Sequence, residues 1–170
     1  KHHHTMRMQS PEYWVNAVLL RHLDGKDFTS GYDERMDEVS PEDVKELLHQ
    51  AKTVGIDNCS VDLMWGIPHQ TVTSALESAR FAMALEPTHI SAYMLKIEEN
   101  TAFAMSSDII ATDDDLAKLY EFCCDYLESN GYRQYEISNF AKSGCECQHN
   151  LIYWNCDDYL GLGPAAHSFW

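Results

Sequence analysis

The chain has 170 residues, and 45% of them are hydrophobic, which is enough to build the core of one domain. Its 27 acidic and 12 basic side chains give a formal net charge of −15 with histidine neutral, and such an acidic surface argues against nucleic-acid binding. No apolar run reaches the roughly 20 residues that a membrane span requires, and no secretory segment is present, so a cytoplasmic protein without a membrane span is predicted. The six cysteines are too few for a disulfide-built scaffold and are predicted to be reduced.

The first 39 residues differ in character from the rest of the chain. Residues 1–6 are typical of a purification-tag remnant, so their three histidines are left out of the site analysis. Residues 11–23 carry apolar side chains along one side and are predicted to form a helix, followed by a polar connector. Residues 1–39 are therefore assigned to an N-terminal segment that holds the tag remnant and this helix.

From residue 40 onwards the chain repeats one pattern, a helix followed by a strand. Each predicted helix begins at a capping residue or an acidic first turn, carries one apolar stripe, and ends at a glycine or proline. The first predicted strand alternates between an apolar face and a mixed face. Three such units favour a parallel sheet with crossover helices, which is an α/β fold. The helices begin near Ser40, Thr71 and Asp113, and the strands cover residues 56–67, 89–97 and 134–140.

Two architectures fit this order of elements, an open doubly wound sheet and a (β/α) barrel. The chain has no Gly-x-Gly-x-x-Gly turn, which weakens the dinucleotide-binding form of the open sheet. A carboxylate pointing inward from a strand, at Asp62, suits a barrel with a ligand in its mouth. A barrel is therefore favoured, and because three parallel strands do not close one, we expect the chain to be a piece of a larger protein.

Asp62 is the first candidate for a ligand contact. It lies in the middle of a strand between apolar neighbours, where a buried carboxylate costs several kcal/mol unless it is paired or hydrogen-bonded. A ligand hydroxyl or amine would be a natural partner at this place in a barrel, and loop amides are the structural alternative. Lys96 and Glu98, at the end of the next strand, are placed either in the same mouth or in solvent.

Cys145, Cys147 and His149 have a spacing that suggests a metal site. A structural zinc site needs a second ligand pair, and only Cys156 and scattered histidines remain to complete one, so no metal is predicted. A metal-dependent hydrolase barrel is kept as an alternative function. Its ligands would come from Asp62, His89, His149 or His167.

The densest group of aromatic and polar residues lies near the C-terminus. Residues 149–154 and 157–168 combine large aromatic side chains with hydrogen-bonding residues and glycine turns, which suits a flat and partly apolar ligand. His149 or His167 would ligate iron or donate a hydrogen bond to such a ligand. A packed loop with a satisfied histidine is the alternative interpretation.

Four strings along the chain match one known family in order. They are SVDLMWGIPHQT at 60–71, HISAYMLKIEENT at 89–101, GYRQYEISNFA at 131–141, and HNLIYW at 149–154 followed by YLGLGPAAHS at 159–168. Together they resemble the oxygen-independent coproporphyrinogen III oxidase-like radical SAM proteins. The last string is similar to the HemW branch, the haem chaperones of that family. The resemblance covers about residues 40–170 and is specific because four separate motifs agree.

The resemblance implies a partial (β/α) radical SAM barrel, of which residues 40–170 form the C-terminal half, without the C-terminal domain of the family. Full-length members use S-adenosylmethionine and a [4Fe–4S] cluster, and this branch binds haem or porphyrin and passes haem to haem-accepting proteins. The resemblance places S-adenosylmethionine at Asp62, Met64 and Lys96. It places haem at His149, Asn150, Tyr153 and Trp154.

Two family features are missing from this sequence, the Cys-x₃-Cys-x₂-Cys motif that binds the cluster and the Gly-Gly-Gly-Thr-Pro turn that holds the methionyl group. Without three cluster thiolates, radical chemistry by this chain alone is not expected. The predicted function is therefore that of a fragment of a HemW-like protein of haem metabolism, which binds S-adenosylmethionine and binds or transfers haem. A haem-binding module that works without a cluster is the alternative from another functional class.

Overall fold

The computed structural model describes residues 7–9, 12–19, 41–97, 99, 104 and 112–170. In these residues the helices are α1 Pro41–Thr53, α2 Val72–Ala84, α3 Asp113–Ser129 and α4 Gln148–Trp154. The strands are β1 Arg7–Gln9, β2 Glu12–Leu19, β3 Cys59–Trp65, β4 His89–Met94, β5 Arg133–Gln134 and β6 Asn139–Ala141. None of the helices in these ranges is both long enough and apolar enough to pass through a bilayer.

The described strands form one six-stranded sheet in the order β1-β2-β3-β4-β6-β5. The three central strands, β2, β3 and β4, run parallel, and α1 and α2 are the crossovers between them. Antiparallel strands lie on both sides, β1 against β2 and β6 against β4. The predicted α/β class, with parallel strands and crossover helices, is confirmed.

Two predicted elements are wrong. Residues 12–19 form strand β2 and not a helix, because the β-favouring residues of this segment pair in parallel with β3. The single strand predicted over 134–140 is instead the antiparallel pair β5 and β6. The carboxylate of Glu136 accepts a hydrogen bond from the backbone N–H of Ser138, which stabilises the turn between them. Strand β6 therefore runs antiparallel to β4, in a place where a further parallel strand was expected.

The helix ends follow the capping residues of the sequence. Thr71 caps α2, and its hydroxyl accepts from the backbone N–H of Ser74 while the Ser74 hydroxyl accepts from the Thr71 N–H. Thr112 caps α3 in the same way by accepting from Asp115, and the acidic first turn of α3 favours the positive end of its dipole. Gly131 follows α3 with a φ of +88°, a conformation that glycine adopts without strain.

The hydrophobic core lies between one face of the sheet and helices α1, α2 and α3. On β3 the apolar face is at most 2% exposed, as the alternation of the sequence predicts. Its residues are Cys59, Val61, Leu63 and Trp65. The helices contribute small and aliphatic side chains such as Val44, Leu48, Ala75, Ala79, Leu119 and Leu127. The opposite face of β3 and β4 carries polar side chains, and this is the face that positions the candidate site.

Candidate functional site

A row of three polar residues crosses the face of the sheet that the helices do not cover. Asp62 on β3 pairs with Ser91 on β4, and Ser91 pairs with Asn139 on β6. Paired residues of neighbouring strands project to the same face of a sheet, so the three side chains lie side by side. Ser91 and Asn139 are buried, and Asp62 is largely buried.

Asp62 is held in an environment that disfavours its charge. Its Oδ1 atom is buried and has no hydrogen-bond partner among the described residues. Burial raises the pKa of the Asp62 carboxyl, and the hydroxyl of Ser91 opposes part of this shift. A carboxylate in this position is an acceptor ready for a donor group from a ligand, since unpartnered buried acceptors are rare in proteins.

Asn139 is a second acceptor on the same row, and the sequence analysis did not assign it to the site. Its side chain is 6% exposed, its Nδ2 atom donates to Glu136, and its Oδ1 atom has no partner within the described part of the chain. The third unpartnered buried atom, Nε1 of Trp65, belongs to the helix-covered face. The string at 131–141 contains Asn139, but only the antiparallel return of β6 brings it beside Ser91.

Met64 and Lys96 lie toward the carboxyl ends of β3 and β4. Met64 is partly buried and pairs with Tyr93, on the same face as Asp62. Gln70 fixes the turn after β3, because its side chain accepts from the Gly66 N–H at 2.7 Å and donates to the Met64 carbonyl at 3.4 Å. Lys96 follows β4 and its side chain is exposed. The structure thus brings Asp62 and Met64 to one face, with Lys96 beyond the end of the neighbouring strand.

A buried histidine at the start of β4 contacts side chains on both sides of it, Ser60 and Tyr135. His89, at the start of β4, is 2% exposed, and its Nδ1 atom lies 2.8 Å from the Ser60 hydroxyl. Its Nε2 atom lies 2.7 Å from the hydroxyl of Tyr135. Burial lowers the pKa of His89 to about 4, and the nearby charge of Glu146 opposes the shift only partly. His89 is therefore neutral at physiological pH, and its two ring nitrogens take part in hydrogen bonds with Ser60 and Tyr135.

Helix α4 carries the four residues to which the resemblance assigns haem binding. Tyr153 and Trp154 are exposed by 45% and 53%, and His149 and Asn150 are partly buried. The His149 ring meets the edge of the Tyr153 ring at 4.8 Å between centroids, and Tyr153 meets Tyr159 at 4.6 Å. These contacts give α4 an exposed aromatic surface next to a ring nitrogen.

His167 lies in the turn that follows α4. The backbones of Tyr159 and Phe169 pair across this turn, and their rings stack at 6.4 Å. A Cβ atom added at Gly161 would collide with the backbone carbonyl of His167, so only glycine fits this close approach. The His167 side chain is exposed.

The described residues contain no group of three histidine, cysteine or acidic side chains placed to hold a metal ion. Within these residues Cys145 and Cys147 lie in the loop before α4, and Cys156 lies after it. This arrangement does not provide the ligands that a zinc-dependent hydrolase needs.

No protein-family model matches the chain. The chain is 38% identical over 156 residues to the heme chaperone HemW of Haemophilus influenzae, an alignment that covers 91% of this chain and 41% of that protein. It is 41% identical over 127 residues to HemW of Escherichia coli, covering 75% and 34% of the two proteins. It is 37% identical over 132 residues to the mouse mitochondrial radical S-adenosyl methionine domain-containing protein 1, covering 75% and 30%. The chain thus spans less than half the length of these relatives.

A solved structure resembles the fold. Coproporphyrinogen III oxidase (HemN) from Escherichia coli, described as a radical SAM enzyme, matches with a TM-score of 0.66 and 16% sequence identity, over 92% of this chain and 38% of that one. The chain therefore has the fold of part of that protein, and the predicted α/β fold of a partial barrel is confirmed.

In sequence, the chain is similar to the HemW proteins, as its four strings predicted. The comparisons do not favour the alternative functions, a metal-dependent hydrolase barrel or a haem-binding module that works without a cluster. The assignment of individual residues to S-adenosylmethionine or haem stays a prediction, as do the boundary at residue 40 and the cytoplasmic location.

Proposed function

We propose that this chain provides the haem-binding and nucleoside-binding part of a HemW-like haem chaperone, which would pass haem to haem-accepting proteins. The observation that supports it most strongly is the exposed aromatic surface of α4, in a chain 38% identical to a heme chaperone. A porphyrin needs a flat apolar surface and a ligand for its iron, and histidine is a common axial ligand. Tyr153 and Trp154 would supply the surface and His149 the ring nitrogen.

Replacing His149 by alanine is expected to weaken haem binding by at least about tenfold, because it removes the proposed iron ligand. The measurement is a titration of the chain with haem, followed by the Soret band. His167→Ala is the matched control, since His167 is the other candidate histidine and lies outside α4. A saturable shift whose affinity His149→Ala weakens by about tenfold or more, and which His167→Ala retains, would support the proposal. No saturable shift, or one that neither substitution changes, would contradict it.

S-adenosylmethionine fits the polar face of the sheet. When bound, it supplies a nucleoside with ribose hydroxyls and an amino group, all of which donate hydrogen bonds. The unpartnered Oδ1 atom of Asp62 would accept one of these donors, and Met64 on the same face would contact apolar ligand surface. Binding would relieve the cost of the buried acceptor, which is a physical reason for a ligand at this position.

An iron–sulfur cluster does not fit the residues of this chain. Its six cysteines lack the Cys-x₃-Cys-x₂-Cys spacing, and the described residues hold no three-ligand group. We therefore derive no radical step for this chain and confine its role to binding and positioning.

Replacing Asp62 by asparagine is expected to weaken S-adenosylmethionine binding by about tenfold or more while making the protein more stable at pH 7. Because folding raises the pKa of Asp62, its ionised form destabilises the native state above that pKa. Removing the charge should raise the free energy of unfolding by on the order of 1 kcal/mol at pH 7. The gain should shrink as the pH falls below the native pKa and vanish below the lower pKa of the unfolded chain, where Asp62 is neutral in both states.

Calorimetric titration with S-adenosylmethionine and urea unfolding test the two parts of this prediction separately. Asp57→Asn is the control. Asp57 is exposed and lies outside the sheet, so this substitution removes the same charge without changing a buried group. Equal binding by both variants would refute the role of Asp62 in the ligand site. A loss of stability in Asp62→Asn would refute the account of its buried charge.

A further inference from the structure

We propose that Tyr135 is the positioning residue that fixes helix α4 to the sheet, so that the haem-binding side chains of α4 are presented in one orientation. The inference rests on the proposed function, because it assigns α4 to haem. Tyr135 lies just after β5 and is not among the residues that the sequence analysis assigned to any site.

The hydroxyl of Tyr135 makes three hydrogen bonds, two to the start of α4 and one to β4. It accepts from the backbone N–H of Cys147 at 3.3 Å and from the side-chain amide of Asn150 at 3.5 Å. Its third contact is Nε2 of His89 at 2.7 Å. Cys147 is at the N-cap position of α4 and Asn150 lies in its first turn, so one hydroxyl holds the start of this helix.

The direction of each hydrogen bond follows from the number of lone pairs. A phenolic oxygen has two acceptor sites and one proton. Because Cys147 and Asn150 both donate to it, the Tyr135 proton is donated to Nε2 of His89. Nδ1 of His89 then carries the histidine proton and donates to the Ser60 hydroxyl at 2.8 Å. Burial raises the pKa of Tyr135 to about 12, so its proton remains in place throughout the neutral range.

Helix α4 needs such an anchor because packing contributes little to its position. None of its seven residues is buried, and the Cys147 side chain makes no capping hydrogen bond within the described part of the chain. Isolated helices of this length are unstable in water, so contacts outside the helix must fix it. His89, by contrast, is 2% exposed on the central strand β4 and is held from β3 by Ser60. Tyr135 therefore links a weakly packed helix to a buried residue of the central strand β4.

The orientation of His149 depends on this link. His149 lies between Cys147 and Asn150 in the chain, the two residues that donate to Tyr135. Its ring also contacts Tyr153 one turn further along. If the first turn of α4 loosens, the ring nitrogen and the aromatic surface no longer keep one fixed relation to each other, and a rigid planar ligand binds less well.

The test is Tyr135→Phe, which removes the hydroxyl and keeps the ring, with Tyr132→Phe as the matched control. Tyr132 is 3% exposed, and its hydroxyl donates at 2.7 Å to the carbonyl of Pro87, a residue outside α4. Both variants remove a tyrosine hydroxyl that is hydrogen-bonded inside the protein, with three contacts at Tyr135 and one at Tyr132, so a general loss of stability affects both. Two readouts separate positioning from stability: amide hydrogen exchange across residues 145–155, measured without haem, and haem titration.

In Tyr135→Phe the amides at the start of α4 should exchange about tenfold faster than in the unsubstituted chain, and haem should bind about fivefold to tenfold more weakly. Tyr132→Phe should leave both quantities unchanged. Equal exchange at the start of α4 in the two variants would overturn the proposal, as would equal haem affinity when the unsubstituted chain binds haem. If the unsubstituted chain binds no haem, the proposed function fails, and the exchange result alone then decides whether Tyr135 positions α4.

Discussion

Replacing Phe140 by alanine is expected to lower the free energy of unfolding by about 3–5 kcal/mol, the usual cost of removing a buried phenylalanine side chain. Phe140 is 0% exposed and belongs to the core between the sheet and the helices. It pairs with Ile90, so it also fixes β6 against β4 and thereby places Asn139 beside Ser91. Urea unfolding followed by circular dichroism measures the effect.

Phe122→Ala is the matched control for Phe140→Ala. Phe122 lies on α3 with 44% of its surface exposed, so the same chemical change should cost less than about 1 kcal/mol. Similar losses in the two variants would contradict the placement of Phe140 in the core. A normal stability of Phe140→Ala would likewise contradict the pairing of β6 with β4.

Lowering the pH from 7 to 5 is expected to cost about 2 kcal/mol of stability through His89 alone. The pKa of His89 is about 4 in the native protein and 6.5 for an unperturbed histidine. Between these values the unfolded chain binds the proton and the native state does not, so stability rises with pH across this window. The contribution is complete above pH 6.5 and is lost as the pH falls toward 4.

His89→Gln isolates this contribution, because glutamine keeps hydrogen-bonding groups and does not titrate. Urea unfolding of both proteins at several pH values gives the difference, in which the carboxylates common to both cancel. The free energy of unfolding of the unsubstituted chain should fall more steeply between pH 7 and 5 than that of His89→Gln. Parallel pH profiles would show that His89 is not buried and neutral in the native state.

The elements predicted best were those with strong local signals. Helix α2 has the cap at Thr71 and ends before Pro87, and strand β3 has a strict alternation from Cys59 to Trp65. Local backbone preference and hydrophobic periodicity decide these elements, and both are visible in a short stretch of sequence.

The elements predicted wrongly depend on pairing between distant segments. Apolar residues within 12–19 occur at spacings compatible with a helix face, but hydrogen bonding to β3 selects a strand. The segment 134–140 is apolar enough for one strand, and only the turn at Glu136 and the antiparallel pairing with β4 divide it. No local pattern contains that information, because tertiary contacts override propensity.

The residues of the candidate site also differ in whether a local sequence pattern could predict their role. The buried carboxylate of Asp62 was predictable, since a charged residue inside an apolar strand needs a partner. Asn139 and Tyr135 were not, because each acquires its role only from the register of strands that are far apart in the chain. Tyr135 and His89, for example, are separated by 46 residues and meet at 2.7 Å.

The arrangement of the sheet also affects how quickly the protein can fold. Among the described strands, only the pairs β1–β2 and β5–β6 join neighbouring segments, and every other strand pair closes a long stretch of chain. Ser60 and His89, on adjacent strands, are 29 residues apart, and α2 must cross between them. Closing such a loop lowers the conformational entropy of the chain before the strand contacts form that compensate for the loss. Parallel sheets therefore assemble slowly. During that interval the apolar face of β3 is exposed to other chains, which makes the newly made polypeptide dependent on rapid helix docking or on protection from aggregation.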